Sequence, residues 1–149
     1  MNRRQKVIIR DSFIIIAITV ITVVAMINLR AHVNHSEAMR AMEDLARNVM
    51  EYKSQHGLVP PESYVLSIRD DLLGHVRLTN LQYRARWIDL DCTADEILAY
   101  SERNLHSLFL GHGFIVLRLD GRVEWIDKDE FQEILSQQQS PDEIQMLQD

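Results

Sequence analysis

The first part of the chain shows no alternation of hydrophobic and polar positions. From Ser12 to Leu29 there is no charged side chain. As a helix this stretch would reach roughly 27 Å, about the thickness of a bilayer's hydrocarbon core. Its many Ile and Val residues are mediocre helix formers in water. In lipid, however, the backbone must close its hydrogen bonds internally, so a helix is expected. Over residues 36–56 the pattern acquires a helical period. Met39, Met42, Leu45, Ala46, Val49 and Met50 recur at steps of three and four, and Glu37, Arg40, Glu43, Arg47, Glu51 and Lys53 fill the other positions. Arg47 is placed to pair with Glu43 and Glu51, each four residues away. One continuous rod from about Asp11 to His56 competes with a break in which Asn34, His35 or Ser36 caps a second helix. Gly57 stands at the natural C-terminal stop, with Pro60 and Pro61 beyond it.

Past Gly57 the pattern loosens. Pro60-Pro61-Glu62-Ser63 reads as a turn or polyproline segment, and residues 67–75 as a short helix burying Leu72 and Leu73. From Leu81 a period near two sets Leu81, Tyr83, Ala85, Trp87 and Asp89 against Gln82, Arg84, Arg86 and Ile88, as in a strand. Residues 96–100 read as a strand or as a helical turn capped by Thr93 and Asp95. The clearest local signal is Phe114–Leu119 and Arg122–Ile126, two β-rich runs joined by Asp120-Gly121. That pair predicts a hairpin with a type I′ turn. Val123 and Trp125 fall on one face of its second strand, Arg122, Glu124 and Ile126 on the other. Asp127 is placed to cap a helix through Leu135, with Phe131, Ile134 and Leu135 inward, and residues 136–149 read as a flexible acidic tail.

Charge gives the apolar stretch a direction. Arg3, Arg4, Lys6 and Arg10 precede it, with Asp11 the one acid, and Arg30 follows before the signs mix. The positive-inside bias puts residues 1–11 in the cytoplasm, a transmembrane helix at 12–30 and a domain at 31–135 outside. A cleaved secretory signal is the competing reading. The apolar run exceeds the usual length of about 7–15 residues, and neither Ala25-Met26-Ile27 nor Leu29-Arg30-Ala31 offers a small-x-small site. A buried core helix is a third reading, against which stand the basic residues in front and the missing polar stripe. Net charge is −6, with acids outnumbering Arg122 and Lys128 after residue 119, which argues against nucleic acid as a partner. Cys92 is the single cysteine, so packing rather than a disulfide must hold the domain.

The basic N-terminus, the membrane-length helix and its amphipathic continuation precede Leu45-Ala46-x-x-x-Met50-x-Tyr52-x-x-x-x-Gly57-x-x-Pro60. Together they resemble the N-terminal half of type II secretion pseudopilins and their type IV pilin relatives. Gly111-His112-Gly113-Phe114 to Trp125 is similar to the terminal hairpin of pilin-like proteins. The resemblance implies an α+β, pilin-like fold: a long N-terminal transmembrane and amphipathic helix packed on a small antiparallel sheet. It implies a single-pass protein of the cytoplasmic (inner) membrane with a periplasmic domain, a structural subunit whose partners are the lipid bilayer and other pilin-like subunits. The packing seam would join Met39, Met42, Leu45, Ala46 and Val49 to Trp87, Phe114, Val116, Val123 and Trp125. The processing site would fall between Ser12 and Phe13, where the family's leader usually ends in Gly. Ala17 stands where the family commonly carries a Glu that pairs with a neighbouring subunit. A single-pass envelope protein that never polymerises and binds a protein partner through the same domain is therefore the alternative.

Candidate chemistry is sparse. Asp89, Asp91 and Asp95 are carboxylates in an expected loop, a setting that suits Ca²⁺, which some pseudopilins bind near their sheet. Solvated loop acids are the competing reading. His32 and His35 lie three apart without an obvious third metal ligand, and His106 and His112 form a looser group with the acids. Cys92 with a histidine is a nominal nucleophile and base. Ser101, Ser107 and Ser136 lack a nucleophile elbow, and no phosphate-binding or dinucleotide motif occurs. No catalytic site is expected.

Overall fold

The computed structural model describes residues 3–72, 78, 80–88, 92–104 and 111–143. The fold is α+β. One helix, α1 (Arg3–His56), runs unbroken for 54 residues, roughly 80 Å. The break considered at Asn34–Ser36 does not occur. Nothing in that stretch interrupts the backbone ladder, and Ala38, Ala41 and Met42 are buried one to two turns later, so packing holds the helix where a cap would have ended it. Gly57 terminates it as expected, with φ +76° and its N–H donating to the Lys53 carbonyl at 2.8 Å.

A shorter helix, α2 (Glu62–Arg69), begins just after Pro61 rather than at Ser67, so Glu62 and Ser63 are helical. Proline suits a helix start, where its missing N–H has no helical partner to lose. Val65 and Leu72 are buried beneath it, whereas Leu73 and His75 lie outside the described residues. Strand β1 (Leu81–Tyr83) is shorter than the period-two run suggested, because Ala85–Trp87 forms a 3-10 turn. Strands β2 (Ile97–Asn104), β3 (His112–Arg118) and β4 (Val123–Asp127) follow, then helix α3 (Lys128–Gln138). The sheet is a meander ordered β1-β2-β3-β4, each pair antiparallel. The competition at residues 96–100 is thus resolved in favour of a strand.

The β3–β4 connection differs in type from the expected turn. Gly121 alone has a positive φ, at +91°. Its N–H donates to the Arg118 carbonyl at 3.0 Å, and the Arg118 N–H donates to Arg122 at 2.9 Å. This is a three-residue loop over Leu119–Gly121, with glycine in the left-handed region, rather than a two-residue type I′ turn. Leu119 is drawn inward because its N–H donates to the Glu96 carbonyl at 2.8 Å and its side chain is buried.

The sheet is covered on both faces. α1 lies on one, where Met42, Leu45, Val49, Leu98, Ile115 and Leu117 form the main core with Val123 and Trp125 at its edge. α3 lies on the other, where Phe131 stacks on Phe114 with ring centroids 3.8 Å apart beside Ile97, Val116 and Ile126. Phe114 and Val116 therefore do not join the α1 seam as expected. Side chains alternate along a strand, and Ile115 and Leu117, opposite Trp125 and Val123, take the helix-facing positions. Trp87, in the 3-10 turn, is also outside that seam; the Arg86 guanidinium lies 5.5 Å from its ring.

Candidate anchor and packing seam

Among the described residues, the apolar side chains of the N-terminal half of α1 are exposed rather than packed into either core cluster. It is long and apolar enough to cross a membrane, and its most apolar window is not buried at all. Phe13 is 73% exposed, and Ser12 and Ala17 are exposed beside it. A core helix would have buried this surface. The polar side chains in the span turn back on the helix itself. Thr19 donates to the Ile15 carbonyl, Thr22 to Ile18 and Asn28 to Val24, each at 2.9 Å. Such back-bonding satisfies polar groups where no water is present.

The C-terminal half carries the seam. Met42, Leu45 and Val49 are fully buried, Met39 and Met50 half-buried, and Trp125 packs against the same cluster. Burying each large side chain contributes about 1.5–3 kcal/mol. Of the residues singled out in the sequence, the fold brings together Met39, Met42, Leu45, Val49 and Trp125. It leaves Ser12, Phe13 and Ala17 on the exposed apolar half of α1. The exposed face pairs differently from the expected pattern: Arg47 meets Asp44 at 3.1 Å, three residues away, and Glu51 accepts from Gln55 at 3.3 Å.

At the junction of the two halves, the His35 ring meets Trp125 edge-on, centroids 5.0 Å apart. Burial, then the charges of His32 and Arg103, hold the His35 imidazole below its ordinary pKa. His35 Nδ1 is buried without a hydrogen-bond partner, and His32 is exposed. No third ligand accompanies the pair: among the described residues no group of three histidine, cysteine or acidic side chains converges on one point. Asp95, the calcium candidate within the described residues, binds Arg122 instead, and Arg122 also donates to Asp120 at 2.6 Å. The Arg122 N–H donates to Asp120 as well, at 2.9 Å, and this lowers the Asp120 pKa. Asp89, Asp91, His106 and Ser107 lie outside the described residues.

The remaining candidates are dispersed. His112 contacts Glu102 at 2.5 Å, Cys92 packs against the main core, and Ser136 donates to the Glu133 carbonyl at 2.8 Å. Ser101 is buried with its hydroxyl unpaired.

One site was missed by sequence reasoning. Arg84 is buried and reaches across to Glu143, donating to Oε1 at 2.7 Å and Oε2 at 2.9 Å. It also donates to the Ile97 carbonyl at 2.7 Å and the Gln138 carbonyl at 3.2 Å, and Glu96 lies at 3.5 Å. Glu143 is as buried as Arg84, so the segment after α3 is docked at least to this residue, where a flexible tail from 136 was expected. The physical reason is the ion pair: a buried guanidinium needs a carboxylate, and the chain end supplies it. Residues 144–149 lie outside the described residues. The chain matches no known protein family, no curated protein and no solved structure.

Proposed function

We propose that this chain is a membrane-anchored, pseudopilin-like structural subunit of a type II secretion or type IV pilus-like assembly. One observation carries the reading. A single continuous helix is bare and apolar along its first half and buried on a four-stranded sheet along its second. The first half suits a bilayer and then the packed core of a fibre, since both offer an apolar surround without water. The second half makes the domain move rigidly with the anchor, which is what a subunit transmitting force requires. The basic residues before Asp11 sit in the cytoplasm and the sheet outside the inner membrane. The role is mechanical, and no catalytic step is assigned.

The alternative is a single-pass envelope protein that stays monomeric and binds a protein partner. Ala17 favours it, because a carboxylate there would neutralise a neighbouring subunit's amine and Ala cannot. Single cysteines placed between residues 13 and 29 in a Cys92→Ser background, oxidised in native membranes, separate the two. Disulfide-linked ladders at helically spaced positions support assembly. Monomers at every position overturn it in favour of the binding module.

A further inference from the structure

We infer that the anchor-proximal end of the sheet is seated in the lipid headgroup layer, with Trp125 as an interfacial anchor and Arg30 and His32 facing headgroup phosphates. This rests on residues 12–29 spanning a membrane. The argument is one of clearance. Ala31 is already buried, at 6% exposure, and it lies two residues beyond Leu29, about 3 Å along the axis. A helix that does not break there leaves no linker to lift the domain away. The headgroup layer on each side of a bilayer is roughly 5–8 Å deep, which α1 traverses between Arg30 and about His35.

The sheet places suitable chemistry at that height. Its two ends are identified by the helix residues they meet. The Leu119–Gly121 loop lies distally, where Lys53 donates to the Leu119 carbonyl at 3.1 Å. His35, which meets Trp125, lies 18 residues earlier on α1, roughly 27 Å along the helix axis toward the bilayer. Trp125 leans over Gly113, where a Cβ would lie 2.5 Å from the indole Cζ2. Gly113 pairs with Arg103 on one side and Asp127 on the other, and within the described strands one further pair, Asn104 with His112, lies nearer that end, so Trp125 leans toward the anchor-proximal end of the sheet. An indole has an apolar body and one N–H donor, which is why tryptophan concentrates at membrane interfaces. Arg30 and His32 are exposed just past the span. A guanidinium there binds the phosphodiester of a phospholipid, and its planar fork matches two phosphate oxygens.

The chain's two tryptophans permit a direct test. Ala85 and Arg86, next to Trp87, line the same open groove as Tyr52 and His56, so Trp87 belongs to the distal end of the domain and Trp125 to the anchor-proximal end. Full-length Trp87→Phe and Trp125→Phe variants are reconstituted into phospholipid vesicles carrying a headgroup-attached nitroxide, and flotation after carbonate washing reports insertion. The Trp125 emission should be largely lost on labelled vesicles and the Trp87 emission retained. If Trp125→Phe does not fold, the Trp87→Phe protein on labelled against unlabelled vesicles gives the same answer. Flotation with an unquenched Trp125 overturns the headgroup seat and leaves the membrane span standing. Protein that does not float overturns both.

Discussion

Arg84 shows how one side chain can hold a chain end in place. Its guanidinium is surrounded by the Glu143 carboxylate and by backbone carbonyls, so deleting either charge strands the other in the interior. Glu143→Ala should destabilise the domain by about 3–5 kcal/mol, and the double change Arg84→Met with Glu143→Leu should recover most of the loss. Denaturant unfolding of the detergent-solubilised chain measures both; a double variant no better than the single one would mean the pair is not the cause. Gly121 is constrained twice, by its φ of +91° and by Met50, whose Cγ would lie 2.9 Å from an added Cβ. Gly121→Ala should therefore be less stable by about 1–3 kcal/mol in the same assay. His35 supplies a pH dependence. Its folded pKa lies below the ordinary 6.5, so the unfolded chain binds the proton more readily. Its contribution is present in full above pH 6.5 and is lost as the pH falls through the lowered folded value. His35→Phe keeps a ring against Trp125 and should flatten the stability–pH curve between pH 5 and 7, roughly the window in which an unperturbed imidazole titrates. An unchanged slope would assign the titration elsewhere. At this scale the sequence was partly legible. Gly57 announced its role because a helical period ended beside it. Arg84 did not, because a period-two pattern places it on a polar face, and nothing local links it to Glu143.

Among the elements, α1 decides the architecture. Its continuity through Asn34 fixes the distance between anchor and seam, so spin labels at residues 20 and 43, both exposed, should lie roughly 35 Å apart. Asn34→Pro removes a ladder hydrogen bond and introduces a clash, costing about 3 kcal/mol or more locally. That variant should shorten and broaden the distance distribution measured by pulsed electron resonance; an unchanged distribution would mean the two halves are held together by something other than the helix. Leu45→Ala, within the buried seam, should lower stability by about 2–5 kcal/mol. The hairpin strands, the second half of α1 and α3 were legible because each is a run with one clear period. The partner of each sheet face was less so. Alternation separates Phe114 from Ile115, but which of the two faces α1 depends on where α3 returns, and that is a tertiary outcome. The 3-10 turn at Ala85–Trp87 was hidden for the same reason, since the alternating pattern continues through it while the pairing with β2 ends at Tyr83.

For the whole molecule, the proposed membrane role makes this division a matter of two solvents. The sheet and the second half of α1 bury each other, whereas the apolar surface from Val7 to Val33 is left for lipid or for other helices. The sequence made the division visible through the absence of charge between Ser12 and Leu29. It could not show that burial begins at Ala31 with no intervening linker, because that follows from the helix failing to break. The central claim is that the apolar segment stays attached to the domain in the membrane. Intact mass spectrometry of the protein extracted from its native membrane tests it most directly. A mass retaining residues 13–29, whether complete or shortened by residues 1–12, is the predicted result, and the shortened form would show that a prepilin-type peptidase accepts Ser12-Phe13. A cut beyond residue 25, with the domain released from the membrane, would contradict the account.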